Sequence, residues 1–133
     1  MVVSALEPLE IYLESTVETG HPIAAVAPAG SLVYAAGGSE LSVIDVSARG
    51  NPLMAGSTAL PGEAMSLSLI GQLLFSATGE TGVSVFSCAD PRRPRLILQV
   101  DTPGFAERVV ALGRLIAVAD GDFGVHFFLA PAP

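Results

Sequence analysis

Residues 73–87 read LLFSATGETGVSVFS, and residues 115–129 read LIAVADGDFGVHFFL. Each stretch is an apolar run, a glycine-containing acidic turn and a second apolar run. That is the pattern of a β-hairpin whose glycines supply positive φ. Residues 32–46, LVYAAGGSELSVIDV, give the pattern a third time. Leu32, Leu73 and Leu115 open the first run, and Ala36, Ala77 and Ala119 close it. In the second run Val43, Val85 and Phe127 form one apolar column at constant spacing, and Ile44, Phe86 and Phe128 form another beside it. Successive side chains of a strand point to opposite faces, so two adjacent apolar columns predict a strand covered on both sides.

Upstream of each hairpin stands a marker glycine, Gly20, Gly62 and Gly104, again at that constant spacing. Between marker and hairpin lie residues 23–27, 64–69 and 106–112, three apolar runs that lead to the turn glycines Gly30, Gly71 and Gly113. Downstream, Pro52 and Pro94 mark equivalent loops before residues 53–58 and 95–100, more polar runs suited to an outer edge strand. Four short strands in a repeat of about 42 residues are the signature of a propeller blade. The predicted fold class is therefore all-β, with three four-stranded antiparallel repeats forming half or part of a β-propeller.

Leu41, Ser42, Val43, Ile44, Asp45, Val46 and Ser47, followed by Pro52, resemble the repeat named LVIVD. So do Thr102, Pro103, Gly104, Phe105 and Ala106, followed by Val118, Ala119, Asp120 and Gly121. Ser87 and Leu129 depart from it where the first repeat has Asp45. The resemblance implies a β-propeller of a family defined by architecture, and it implies no particular chemistry.

Residues 11–20 lie one repeat before residues 53–62 without a gap, so that Ser15 and Thr16 fall on Ser57 and Thr58. The chain thus divides into an outer strand at 9–20 that completes a last blade, blade 1 at 21–60, blade 2 at 61–102, and blade 3 at 103–133 without an outer strand. Propellers have about four to eight blades. Three are too few for a closed ring, and an uncovered blade face is a large apolar patch. Two arrangements follow. Two chains can associate head to tail as a six-bladed dimeric ring, each completing the last blade of the other. Alternatively, this is a fragment of a larger propeller whose other blades cover the open faces. A helix over residues 6–18 is a competing expectation, because Glu7, Glu10, Glu14 and Glu18 run beside Leu6, Leu9, Leu13 and Val17 at helical spacing.

Half of the 133 residues are apolar and 14% are charged, a composition rich in core. No apolar run approaches the roughly 18 residues of a membrane helix, so no membrane partner is expected. Residues 1–18 hold four glutamates and no basic residue, which does not fit a secretory signal. The net charge is −7 and all six basic residues are arginine, three of them (Arg92, Arg93 and Arg95) around Pro94. So small a basic cluster on an acidic chain argues against nucleic acid. Cys88 is the single cysteine and reads as a buried small apolar residue.

Chemistry-bearing residues are few. His21 follows its marker glycine where Glu63 and Phe105 follow theirs, at the point where the chain enters the innermost strand. With Glu107 and Arg108 these residues would stand at the mouth of the central channel and are the candidate ligand-binding set. His126 falls inside a strand and reads as structural. Asp120 and Asp122 flank a glycine, but the further oxygens of a calcium loop do not follow, so they read as a hairpin turn. No triad order, zinc spacing or phosphate loop is present. The expectation is a non-catalytic scaffold for a protein partner, without cofactor or metal; the alternative is a ligand-binding or hydrolytic propeller with its site at the channel mouth.

Overall fold

The computed structural model describes residues 10–130; the expectations for residues 1–9 and 131–133 lie outside them. Among the described residues, eleven strands form three antiparallel sheets. The first holds β1 (Ala25–Ala29), β2 (Leu32–Gly37), β3 (Glu40–Asp45) and β4 (Leu53–Ala59) in sequence order. The second holds β5 (Ser66–Ile70), β6 (Leu73–Ala77), β7 (Val83–Ser87) and β8 (Arg95–Val100). The third has β9 (Arg108–Leu112), β10 (Leu115–Ala119) and β11 (Val125–Leu129), with a 3₁₀ turn at Gly121–Phe123 between the last two. Each sheet is one blade.

The innermost strands begin at Ala25, Ser66 and Arg108, later than their apolar runs suggest. Ala64 and Ala106 are apolar, yet their backbones serve the preceding blade. The Ala64 N–H donates to the Gly38 carbonyl at 2.8 Å, and Ala106 exchanges two 3.0 Å bonds with Gly79. The lead-in to each new blade is thereby sewn to the hairpin of the previous one. At the other end β1 runs on through Pro28 to Ala29. Proline is tolerated there because β1 is an edge strand and needs no donor on its free side.

The outer strands share a β-bulge. Val43 pairs with Gly56 and Ile44 with Met54, leaving Ala55 as the extra residue; Val85 pairs with Leu98 and Phe86 with Leu96, leaving Ile97. A bulge bends and twists its strand. Its recurrence at the equivalent place in the next repeat shows that blades 1 and 2 are built to one plan.

Two cores lie between the blades. Leu32, Tyr34, Ala36, Leu41 and Val43 of blade 1 pack on Leu74, Phe86 and Cys88 of blade 2. Phe75, Val83 and Val85 of blade 2 pack on Val109, Ile116 and Val118 of blade 3. Burial pushes the Cys88 thiol pKa up, as befits a core residue. Blade 3 departs from the expectation that its third strand is covered on both sides. Val110, Leu112, Leu115, Val125, Phe127 and Leu129 are exposed together on one face, Phe127 by 61%. Its counterpart Val85 is 4% exposed, because blade 3 covers it.

Residues 10–24 form no helix and no strand, so over their described parts the helix expected at 6–18 is not formed and the outer strand expected at 9–20 is not paired with another described strand. The segment is held by an exposed ion pair between Glu14 and Arg49 at 3.1 Å, which contributes little, since exposed pairs stabilise by about 0–1 kcal/mol.

Candidate functional site

The loops between the second and third strands and the lead-ins to the innermost strands gather at one rim of the blades, and the five candidate residues are all found there. Among the described residues, no hydrogen bond or ion pair joins any two of them. His21 is tied to its own blade: Nδ1 lies 3.0 Å from the Pro22 carbonyl, and Nε2 lies 2.7 Å from Ser42 Oγ and 3.1 Å from Glu40 Oε2. A carbonyl only accepts, so Nδ1 carries a proton, and Nε2 takes the Ser42 hydroxyl or donates to Glu40. Glu63 and Glu107 are exposed. Arg108 donates to the Met65 carbonyl at 3.3 Å. The Phe105 ring rests on Gly79, where a Cβ would come within 2.8 Å of it, so only glycine allows that stacking.

The Ser42–His21 contact has the length of a nucleophile–base pair, but its surroundings do not suit that role. Ser42 has no solvent exposure, and Nδ1 meets a backbone carbonyl where a triad would place a carboxylate. The contact fixes the lead-in to β1.

Ser42 belongs to a pattern that the apolar columns conceal. Ser42, Ser84 and His126 occupy equivalent places in successive repeats, a polar side chain between two apolar ones in each third strand. Ser84 lies 2.7 Å from Gln99 Oε1 and 3.4 Å from the Thr78 hydroxyl. His126 Nε2 donates to Asp120 Oδ2 at 3.0 Å. The signal is legible as one polar residue interrupting L-S-V, V-S-V and V-H-F at constant spacing.

Asp120 is more than a turn residue. It has no exposure, and its Oδ2 also accepts the Gly104 N–H at 2.9 Å. A Cβ on Gly104 would approach the Asp120 carbonyl to 2.4 Å, which explains this marker glycine as a point of close approach. Asp120 Oδ1 and Thr102 Oγ1 are buried polar neighbours that stop short of full hydrogen-bond geometry. Burial raises the carboxyl pKa, but the contacts with Thr102, Gly104 and His126 outweigh it and hold the group below its ordinary value. A carboxyl held low in the folded state stabilises above its unfolded pKa of about 3.9, and the contribution is lost as the pH falls through the folded value. Asp120→Asn is therefore expected to lower the urea midpoint at neutral pH and to flatten its decline below about pH 4. An unchanged acid limb would show that Asp120 is not a source of the acid sensitivity.

Elsewhere, a shallow groove of about 490 Å³ runs along β4, lined by Ala55, Gly56, Ser57 and Thr58 and by Arg92, Arg93 and Pro94. Arg92 is already paired with Asp45 at 2.5 Å. Among the described residues, no group of three or more His, Cys, Asp or Glu side chains is placed to hold a metal, and no helix is long and apolar enough to cross a membrane.

No family model and no curated protein matches the chain. Solved structures do. A chain of the mitotic checkpoint complex superimposes with a TM-score of 0.70 at 18% identity, over 86% of this chain and 40% of that one. The fold is a β-propeller. Sqt1 of Saccharomyces cerevisiae matches at 0.63 and 21% identity, over 80% of this chain and 31% of that one. The WD40 repeats of RRP9 match at 0.57 and 11%, over 74% and 33%. This chain thus spans less than half the length of each of these three structures, whereas it covers the whole of the computationally designed Ika4 protein, with a TM-score of 0.57 at 10% identity over 92% of this chain; at these identities the likeness concerns fold alone.

Proposed function

We propose that this chain is a non-catalytic propeller scaffold that closes its ring with a second copy of itself and presents its rim loops to a protein partner. The observation that carries the reading is the bare face of blade 3. Val110, Leu112, Leu115, Val125, Phe127 and Leu129 are exposed there, although the matching face of blade 2 is packed. Burying a side chain of this size is worth about 1.5–3 kcal/mol, so a face of six is a strong drive to associate. Blade 1 supplies a complement, with Val26 62% exposed on the side that faces away from blade 2. Two copies give six blades, within the range of about four to eight, and three copies exceed it. The scaffold role is supported by the candidate polar residues, each engaged within its own neighbourhood or exposed alone. A protein partner fits the mitotic checkpoint complex, an assembly in which a chain of this fold takes part. On the same proposal the repeats are of the LVIVD kind, with residues 41–47 and Pro52 as the support.

Light scattering after size exclusion tests the ring. A mass near twice 13.6 kDa is expected, and a stable 13.6 kDa species overturns it. Turnover in a broad hydrolase screen, lost in Glu63→Gln and Glu107→Gln, overturns the non-catalytic reading.

A further inference from the structure

We infer that residues 11–16 of a second copy form the missing fourth strand of blade 3, in a register fixed by the two complete blades. The inference rests on the ring proposed above and specifies how it closes. Among the described residues, β11 ends its sheet, with no strand on its outer edge. Residues 10–19 pair with no strand in their own chain, and Ile11, Tyr12 and Leu13 are 91%, 70% and 82% exposed.

The two complete blades supply the register. Leu41 pairs with Thr58 and Val83 with Val100; Ser42 pairs with Ser57 and Ser84 with Gln99. Carried over to the equivalent positions of the repeat, Val125 faces Thr16 and His126 faces Ser15 of the second copy. Phe127 then faces Glu14, Phe128 faces Tyr12 and Leu129 faces Ile11. Leu13 takes the bulge, the place held by Ala55 and Ile97. The chemistry agrees with this register independently of the hydrophobic pattern. Ser57, Gln99 and Ser15 are polar members of their runs, and each lands on the polar column of Ser42, Ser84 and His126. Glu14 takes the place of Leu98, which is 55% exposed, so its charge stays in water. Its pair with Arg49 must open, which costs little because both groups are exposed.

Connectivity identifies the recipient. β4 leads into β5 of the following blade, and β8 leads into β9. Residues 11–16, which lead into β1, therefore complete the blade that precedes blade 1 in the ring. In a ring of two copies that blade is blade 3 of the other chain.

The test co-expresses two differently tagged chains, one carrying Thr16→Cys and the other Val125→Cys, under oxidising conditions. Residues directly opposite in an antiparallel pair are within disulfide reach, whereas a shift of one residue points the side chain to the other face. A disulfide joining the two tags is expected, and none when His126→Cys replaces Val125→Cys. Val83→Cys with Val100→Cys, opposite each other in blade 2, calibrates the oxidation within one chain. A dimer by light scattering without either cross-link overturns strand exchange, and the His126 cross-link in place of the Val125 one overturns the register; both leave the ring standing. A monomer overturns both.

Discussion

Phe127→Asp is expected to convert the proposed two-chain ring into a folded 13.6 kDa monomer, while the same change at Val85 is expected to prevent folding. The two residues hold one position in successive blades. Phe127 is 61% exposed in the single chain, so a carboxylate there stays hydrated and the blade keeps its pairing of Phe127 with Ala117. In the ring it would meet the apolar back of the next blade. Loss of a buried phenylalanine costs about 3–5 kcal/mol, and an unpaired buried charge adds to that. The dimer should weaken by at least about 100-fold, since every 1.4 kcal/mol is about tenfold. Val85 is 4% exposed between blades 2 and 3, and a carboxylate there takes several kcal/mol from a total that for a small domain is about 5–15 kcal/mol. Light scattering and far-ultraviolet circular dichroism read both results. A Phe127→Asp chain that stays dimeric would remove blade 3's open face from the interface.

Phe86→Ala should be the most damaging truncation in the core. Phe86 has no exposure and sits between blades 1 and 2 against Leu41, Val43 and Leu74, so its removal leaves a cavity that two sheets cannot easily collapse. The expected loss is about 3–5 kcal/mol, read as a lower midpoint in urea. Phe128→Ala, in the same column but only partly buried against the second core, should cost less. Equal losses would mean that the two interfaces are packed to the same density.

The strands are legible in the sequence because their faces differ. Apolar columns at Leu32, Leu73 and Leu115 and at Ile44, Phe86 and Phe128 locate the hairpins closely, and the acidic turns place Gly38, Gly79 and Gly121 at positive φ. The starts of the innermost strands are not, because Ala64 and Ala106 are apolar while their backbones bond to another blade, and a backbone bond leaves no trace in residue type. The bulges escape for the same reason. Of the site, sequence places His21, Glu63 and Phe105 on equivalent lead-ins, but the contact of His21 with Glu40 and Ser42 depends on the chain folding back through the whole of β1 and β2. Asp120 passes for a turn former because its burial is created by Gly104 and His126, which reach it from a loop and a neighbouring strand.

The polar column has a consequence for how such a chain can change in length. Ser42 meets His21, Ser84 meets Thr78 and Gln99, and His126 meets Asp120, each without a side chain borrowed from another blade. The column is thus closed within each blade, while other hydroxyls cross between blades: Tyr34 donates to the Pro91 carbonyl, and Ser66 and Ser68 accept from the Val109 and Ala111 N–H groups. Duplicating or excising one whole repeat strands no member of the column; what it must re-form is the apolar interface and the few hydroxyl bonds that cross it. The molecule is modular in the sense a brick wall is: its courses can be counted up or down, provided that the cut falls between units.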